Sequence, residues 1–299
     1  MKTLDPVSKK YLQIIYKMGY AKIPHLSLDD VRKIFASTFS EEPPDQTIHL
    51  QHKDSHLPLH YYYPQSKKIE SVILYFHGGG YVIRQFSQAA RVCRKLANDT
   101  GSCVILIEYS LSPESKFPGA IKEASFVLDW VNENKKSISD DDTVPIFLYG
   151  ESSGGNLAIA TLLYKEHASI AGNILVCPSL DYYQSYSSKV EFSRGYLLDE
   201  EIRLWFAHNY LNHESERINP LVSPTMASNL SHIPKTLIIS AYFDPLRDEA
   251  YSFYQLLREN KVSVDLYEYD SIHTFFNFKI EPYYQIASDK IRKFIKSCK

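Results

Sequence analysis

The sequence predicts an α/β protein: a mostly parallel eight-stranded sheet with helices on both faces and a helical cap. Three observations predict it. From residue 71 onward, short apolar runs alternate with helical patterns, the rhythm of a parallel sheet with crossover helices. Before them, two β-like runs separated by a polar turn read as a hairpin that adds an antiparallel edge. Between 181 and 234 the rhythm breaks and no strand pattern is found. An insertion of that length after a core strand reads as a lid over the site.

In chain order, residues 1–40 carry two helical patterns. Val7, Tyr11, Ile14, Ile15 and Met18 recur at helical spacing. After Pro24, Ser27-Leu28-Asp29-Asp30 has the form of a capping box. Leu28, Val31, Ile34 and Phe35 follow as an apolar stripe, with Phe39 beyond it. Short helices are marginal alone, so this piece must dock on the rest. Residues 1–44 are therefore expected to form part of the cap, and 45–299 the main domain.

Residues 47–52 and 57–63 are the hairpin strands, with Lys53-Asp54-Ser55-His56 as the turn. Pairing His52 with Leu57 would set His49 opposite His60, and His56 lies beside them. Such a cluster could hold a metal. No carboxylate or cysteine completes a ligand set, so no metal site is expected.

The six remaining strands fall near 71–76, 103–108, 145–149, 173–177, 235–241 and 263–269. Helices fall near 86–99, 118–134, 153–167, 246–260 and 282–297. Within the insertion, Asp199 is placed to cap a helix bearing Ile202, Trp205, Phe206 and Tyr210.

The chain of 299 residues is long enough to bury a sizeable core. Its 33 basic and 35 acidic residues are dispersed, which argues against a nucleic acid or an anionic membrane as partner. The N-terminus lacks the apolar stretch of a signal peptide, and no window has transmembrane length. Cys93, Cys103, Cys177 and Cys298 form no C-x-x-C pattern. They read as reduced thiols of a cytoplasmic protein. Nothing in the sequence decides the oligomeric state, and a homodimer stays open.

The chemistry is concentrated in Gly150-Glu151-Ser152-Ser153-Gly154, between an apolar strand and a helical run. Strand, G-x-S-x-G and helix in succession are the context of a nucleophile elbow. The sharp reversal forces the serine into strained backbone and excludes a Cβ at the flanking positions. Ser152 then stands at the tip, beside a helix N-terminus that favours negative charge. Earlier, an apolar strand runs into His77-Gly78-Gly79-Gly80. Consecutive glycines can aim backbone N–H groups at one point, as a tetrahedral oxyanion requires. The base should be a late histidine after the last strand, and His273 fits; His232 precedes a strand instead. The acid should follow the preceding strand, where Asp244-Pro245 stands. Asp-Pro is also a common helix N-cap and first-turn pair, and the two roles are compatible. Asp248 reads as structural. Asp270, three residues from His273, competes.

With these pieces in this order, the chain resembles the hormone-sensitive-lipase-like group of α/β-hydrolase esterases. The resemblance includes His77 to Gly80, Tyr109 to Glu114 with Phe117-Pro118, Gly150 to Ala158, Asp244 to Glu249, and His273. It implies Ser152 as nucleophile, Asp244 and His273 as its partners, and Gly78, Gly79 and Ser153 as oxyanion donors through backbone N–H. It implies no cofactor, and a small-molecule ester of short-to-medium acyl chain as substrate. Glu151 and Ser153 stand where the group more often has Asp and Ala, and Thr274 where Gly is usual. An amidase or arylformamidase on the same triad is the alternative within enzymes. A ligand-binding protein of this fold would lack the base that this chain has.

Overall fold

The computed structural model describes residues 2–37, 42–66, 68–167 and 169–298. Its centre is one eight-stranded sheet. In chain order the strands are β1 (Gln46–His52), β2 (Ser55–Tyr62), β3 (Ser71–Phe76), β4 (Ser102–Ile107), β5 (Ile146–Glu151), β6 (Ile170–Val176), β7 (Thr236–Phe243) and β8 (Val264–Ile272). Across the sheet the order is β1-β2-β4-β3-β5-β6-β7-β8. β1 and β2 pair antiparallel with each other, and β2 pairs antiparallel with β4; all other pairs are parallel.

The central strands are apolar throughout because both faces are covered. Alternate side chains go to opposite faces. On β3 and β5, Val72, Leu74, Phe76, Ile146 and Leu148 join one core, and Ile73, Tyr75, Phe147 and Tyr149 the other. The first core is closed by helices at Gly119–Glu133, Ser153–Tyr164 and Arg247–Glu259. The second is closed by helices at Phe86–Thr100 and Tyr283–Ser297, which bring Cys93, Leu96, Ile291 and Phe294.

A third, smaller cluster sits beyond the C-terminal ends of the strands. Here a 3₁₀ turn at Tyr20–His25 and α2 (Leu28–Ser37), which follow α1 (Pro6–Lys17), meet the helix Glu200–Tyr210. Ile23, Val31, Leu198, Ile202 and Phe206 pack with Val82 and Ile83 from the loop after β3. Polar ties reinforce the junction. Tyr16 donates its hydroxyl to Asp199 Oδ1 at 2.7 Å. Arg32 reaches the carbonyls of Val82 (3.1 Å) and Ser112 (2.9 Å) and forks onto both Glu114 oxygens.

Several expectations need correction. The hairpin turns through two residues, Lys53 and Asp54, with Lys53 at φ 52°, so His52 faces Ser55 rather than Leu57. A tight turn matches the strand twist and shifts the register. His49 is then opposite Pro58 and His60 opposite Thr47. His60 is held by Glu108 and by Thr47 Oγ1, while the His52 ring packs on Phe126. Among the described residues the four histidines form no ligand set. On α1 the buried face is Ser8, Leu12 and Ile15, while Val7, Ile14 and Met18 are about half exposed. Ser27 caps α2 by accepting from the Asp30 N–H at 3.2 Å, but the Asp30 carboxylate accepts from the serine hydroxyl, at 2.7 Å, rather than from the Ser27 N–H of a capping box. Asp199 occupies the N-cap position, yet its carboxylate accepts from Gly195 N–H (2.8 Å) and Tyr16 instead of the helix. Phe39 lies outside the described residues. No helix among them is long and apolar enough to cross a membrane.

Candidate active site

The turn from β5 into α6 (Ser153–Tyr164) places Ser152 at φ 53°, ψ −119°, a conformation that is costly for a residue with a side chain. Its surroundings hold it there. Ser152 N–H donates to Val176 O at 3.0 Å, and Ser179 N–H donates to Ser152 O at 3.0 Å. The flanking glycines are required by space. A Cβ at Gly150 would lie 2.1 Å from Gly154 O, and one at Gly154 2.0 Å from Phe76 O.

The His273 ring stands between two partners. Its Nδ1 lies 2.7 Å from Asp244 Oδ2 and its Nε2 lies 3.1 Å from Ser152 Oγ. A carboxylate can only accept, so Nδ1–H donates to Asp244 and Nε2 is left to accept the serine proton. His273 and Asp244 are buried, at 2% and 1% side-chain exposure. The second oxygen of Asp244, Oδ1, accepts the Leu246 N–H at 2.9 Å. The aspartate thus closes the turn entering the helix Arg247–Glu259, whose N-cap is Leu246 and not Asp244 itself. Asp248 accepts the Ser188 N–H at 2.8 Å and the Arg247 Nε–H at 2.8 Å. Asp270 points away and pairs with Lys2 at 2.7 Å near the surface.

The glycine loop after β3 lies against the elbow. A Cβ at Gly78 would come within 3.4 Å of Ser152 Cβ and 3.2 Å of Glu151 O. Gly79 has φ 109°, and a Cβ there would meet Ile83 O at 2.1 Å. His77 fixes the loop from beneath. Its Nδ1–H donates to Gly78 O at 2.6 Å, and its ring stacks on Tyr109 at 4.5 Å. Tyr109 donates its hydroxyl to His77 O at 2.7 Å. Burial lowers His77 to about 4, so it stays neutral near pH 7 and acts as a brace. Ser153 opens α6, where first-turn N–H groups have no helical partner.

Glu151, beneath the elbow, is fully enclosed. Its Oε1 accepts the Tyr149 hydroxyl at 3.1 Å. Burial raises it to about 7, against the pull of Tyr75, Tyr149 and Asn277. Cys177 brings its sulfur within 4.8 Å of ligand atoms of Asp244 and His273. Burial pushes that thiol well above its ordinary value, which keeps it protonated and a poor metal ligand.

Ser152 and His273 open into a cavity of about 140 Å³, with Gly79, Gly80 and Ser153 in its wall. Tyr20, Ile23, Ile34 and Phe35 line it from the N-terminal elements, and Leu197, Leu198 and Phe206 from the insertion. Gly80, at φ 62°, lies directly under Phe206, whose ring would be 2.2 Å from a Cβ. Phe206 lines the cavity, but Tyr210 stacks on Tyr81 at 4.0 Å and Tyr196 packs on Phe192 and Phe243. Tyr20, Phe35, Tyr182 and Phe278 contribute rings that helical periodicity alone does not place at a site.

Residues 73–277 match a family described as the alpha/beta hydrolase fold. An arylesterase of Saccharolobus solfataricus is 28% identical over 284 residues, 91% of this chain and 92% of its own length. An ethyl acetate hydrolase of Pseudomonas putida is 29% identical over 283 residues, 88% and 89% of the two chains. The structure of an esterase from Pyrobaculum calidifontis is 29% identical and superimposes with a TM-score of 0.88 over 99% of each chain. The sheet order, the elbow after β5 and the extent of these matches agree: the chain belongs to the α/β-hydrolase fold family, in its hormone-sensitive-lipase-like group.

Proposed function

We propose that this carboxylic ester hydrolase is a serine esterase acting on short-to-medium acyl esters through an acyl-enzyme. The observation that carries the proposal is the continuous line Asp244–His273–Ser152 at the floor of an apolar cavity. His273 takes the Ser152 proton as Oγ attacks the ester carbonyl. Asp244 holds the imidazole tautomer and stabilises the imidazolium. The oxyanion lies against the N–H groups of Gly78, Gly79 and Ser153, supported by the glycine loop's approach to Ser152 and by the start of α6. The protonated His273 then donates to the leaving alcohol. Water, deprotonated by the same imidazole, releases the acid and restores Ser152.

Residues 1–44 and 181–234 act as the cap. The support is the third apolar cluster, in which Ile23 and Val31 meet Ile202 and Phe206 over the site. The apolar lining of the small cavity favours short acyl groups.

A panel of p-nitrophenyl esters from acetate to palmitate tests the reading, together with fluorophosphonate labelling. Turnover should peak at short acyl chains, and the label should be lost in Ser152→Ala. A maximum at palmitate overturns the substrate class. Undiminished labelling of Ser152→Ala overturns the nucleophile. Faster turnover of an anilide than of its matched ester would make the protein an amidase.

A further inference from the structure

The cavity that holds Ser152 and His273 is lined by charged as well as apolar side chains. Lys189, Arg203, Arg217 and Asp181 all line it. Tyr182, Lys189 and Arg203 also line an adjoining recess of about 310 Å³, bordered by Gln184, Ser193 and Glu200. Arg203 is thus one of three residues that border both spaces.

Three of the four charges are already satisfied. Lys189 Nζ lies 2.9 Å from Glu249 Oε2 and donates to Asp181 O at 2.6 Å. Arg217 is paired with Glu214 and donates to Tyr182 O at 3.0 Å. Asp181 accepts from the N–H groups of Tyr183 and Gln184 and from the hydroxyls of Tyr186 and Thr225.

Arg203 differs. Its Nε donates to Leu198 O and its Nη2 to Lys189 O, both at 3.2 Å. Those two carbonyls fix the plane of the guanidinium and leave Nη1 uncommitted. Among the described residues no carboxylate is in ion-pair contact with it. Glu249, Glu200, Asp244 and Asp199 act on it only from a distance, and burial outweighs them and lowers its basicity. A half-buried cation without an anion is costly, and a planar fork of donors fits a carboxylate.

We propose that Arg203 receives a carboxylate carried by the substrate. The preferred esters, on the serine-esterase reading above, are then acidic ones. They are either half-esters of short dicarboxylic acids or esters whose alcohol portion bears the carboxylate.

The test uses two matched pairs on the full chain. For the acyl side, mono-4-nitrophenyl glutarate is compared with 4-nitrophenyl pentanoate. For the alcohol side, 4-acetoxybenzoate is compared with phenyl acetate. In at least one pair, Arg203→Ala should raise KM for the acidic member about 10- to 100-fold more than for its neutral partner. Arg203→Lys should retain part of the discrimination. Glutarate should inhibit hydrolysis of 4-nitrophenyl butyrate competitively in the unmodified protein, a readout that survives if Arg203→Ala does not fold. Equal losses on both members of both pairs, or no inhibition by glutarate, would overturn the proposal. If the unmodified protein hydrolyses neutral esters but shows neither effect, only the carboxylate site falls. If it hydrolyses no ester, the esterase reading falls with it.

Discussion

At the scale of single residues, the two aspartates near His273 separate cleanly. Asp244 shares its carboxylate between the imidazole and the turn at Leu246, whereas Asp270 is 44% exposed and tied to Lys2. Asp244→Asn should lower kcat by about 10⁴, the scale of losing the orienting carboxylate and its tautomer. Asp270→Asn removes one exposed ion pair of small value and should leave kcat within about twofold. Steady-state kinetics on p-nitrophenyl butyrate, with circular dichroism to check folding, decide this. A dead Asp270→Asn beside a near-normal Asp244→Asn would mean the triad is misassigned. Ser152→Ala should lower turnover by several orders of magnitude without unfolding, since alanine keeps the same Cβ and the backbone bonds to Val176 and Ser179 that hold the φ of 53° remain.

At the scale of elements, the helix Glu200–Tyr210 forms part of the cavity wall. Phe206 lies over Gly80 with its ring in the cavity wall, and is 8% exposed. Phe206→Ala should shift the best p-nitrophenyl ester to a longer acyl chain while lowering stability by about 3–5 kcal/mol. An unchanged acyl profile in a folded variant would remove Phe206 as the limit. The N-terminal elements contribute differently. They supply Tyr20, Ile23 and Phe35 to the cavity and no residue to the line Asp244–His273–Ser152. Deleting residues 1–40 should therefore raise KM for short esters by an order of magnitude or more while the sheet keeps its circular dichroism. A soluble truncation with wild-type KM would show that this segment is not part of the cap.

At the scale of the whole molecule, buried ionisable groups pull stability in opposite directions with pH. Burial lifts Glu151 and Glu249 from 4.5 to about 7. Between those values the native state holds protons that the unfolded chain has released, so their contribution falls as pH rises. His77, lowered from 6.5 to about 4, is neutral in the fold and charged when unfolded, so its contribution rises over nearly the same interval. The net slope of the unmodified protein mixes both. The difference between it and Glu151→Gln isolates one. The variant should gain about 1–3 kcal/mol relative to the unmodified protein on going from pH 5 to pH 8. Parallel denaturation profiles across that range would show that Glu151 does not titrate there.

The sequence by itself determined the sheet and the order of the chemical pieces. Central strands such as 71–76 are legible because burial on both faces requires unbroken apolar runs. The glycines at 150 and 154 are legible because backbone oxygens at 2.1 and 2.0 Å leave no room for a Cβ. These are local demands, written in adjacent residues. The hairpin register was not legible, because a two-residue and a four-residue turn suit Lys53 to His56 equally and differ only in how β2 meets β4. The buried face of α1 also went to the tertiary structure. Val7, Ile14 and Met18 have helical spacing, but it is Leu12 and Ile15 that reach the second core and Tyr11 that stacks on Phe278 at 4.2 Å. The choice between Asp244 and Asp270, the position of Phe206 over Gly80, and the isolation of Arg203 were decided the same way. Each depends on how segments far apart in the chain meet at the C-terminal ends of the strands, where the direction of a side chain is set by packing between loops rather than by its neighbours in sequence.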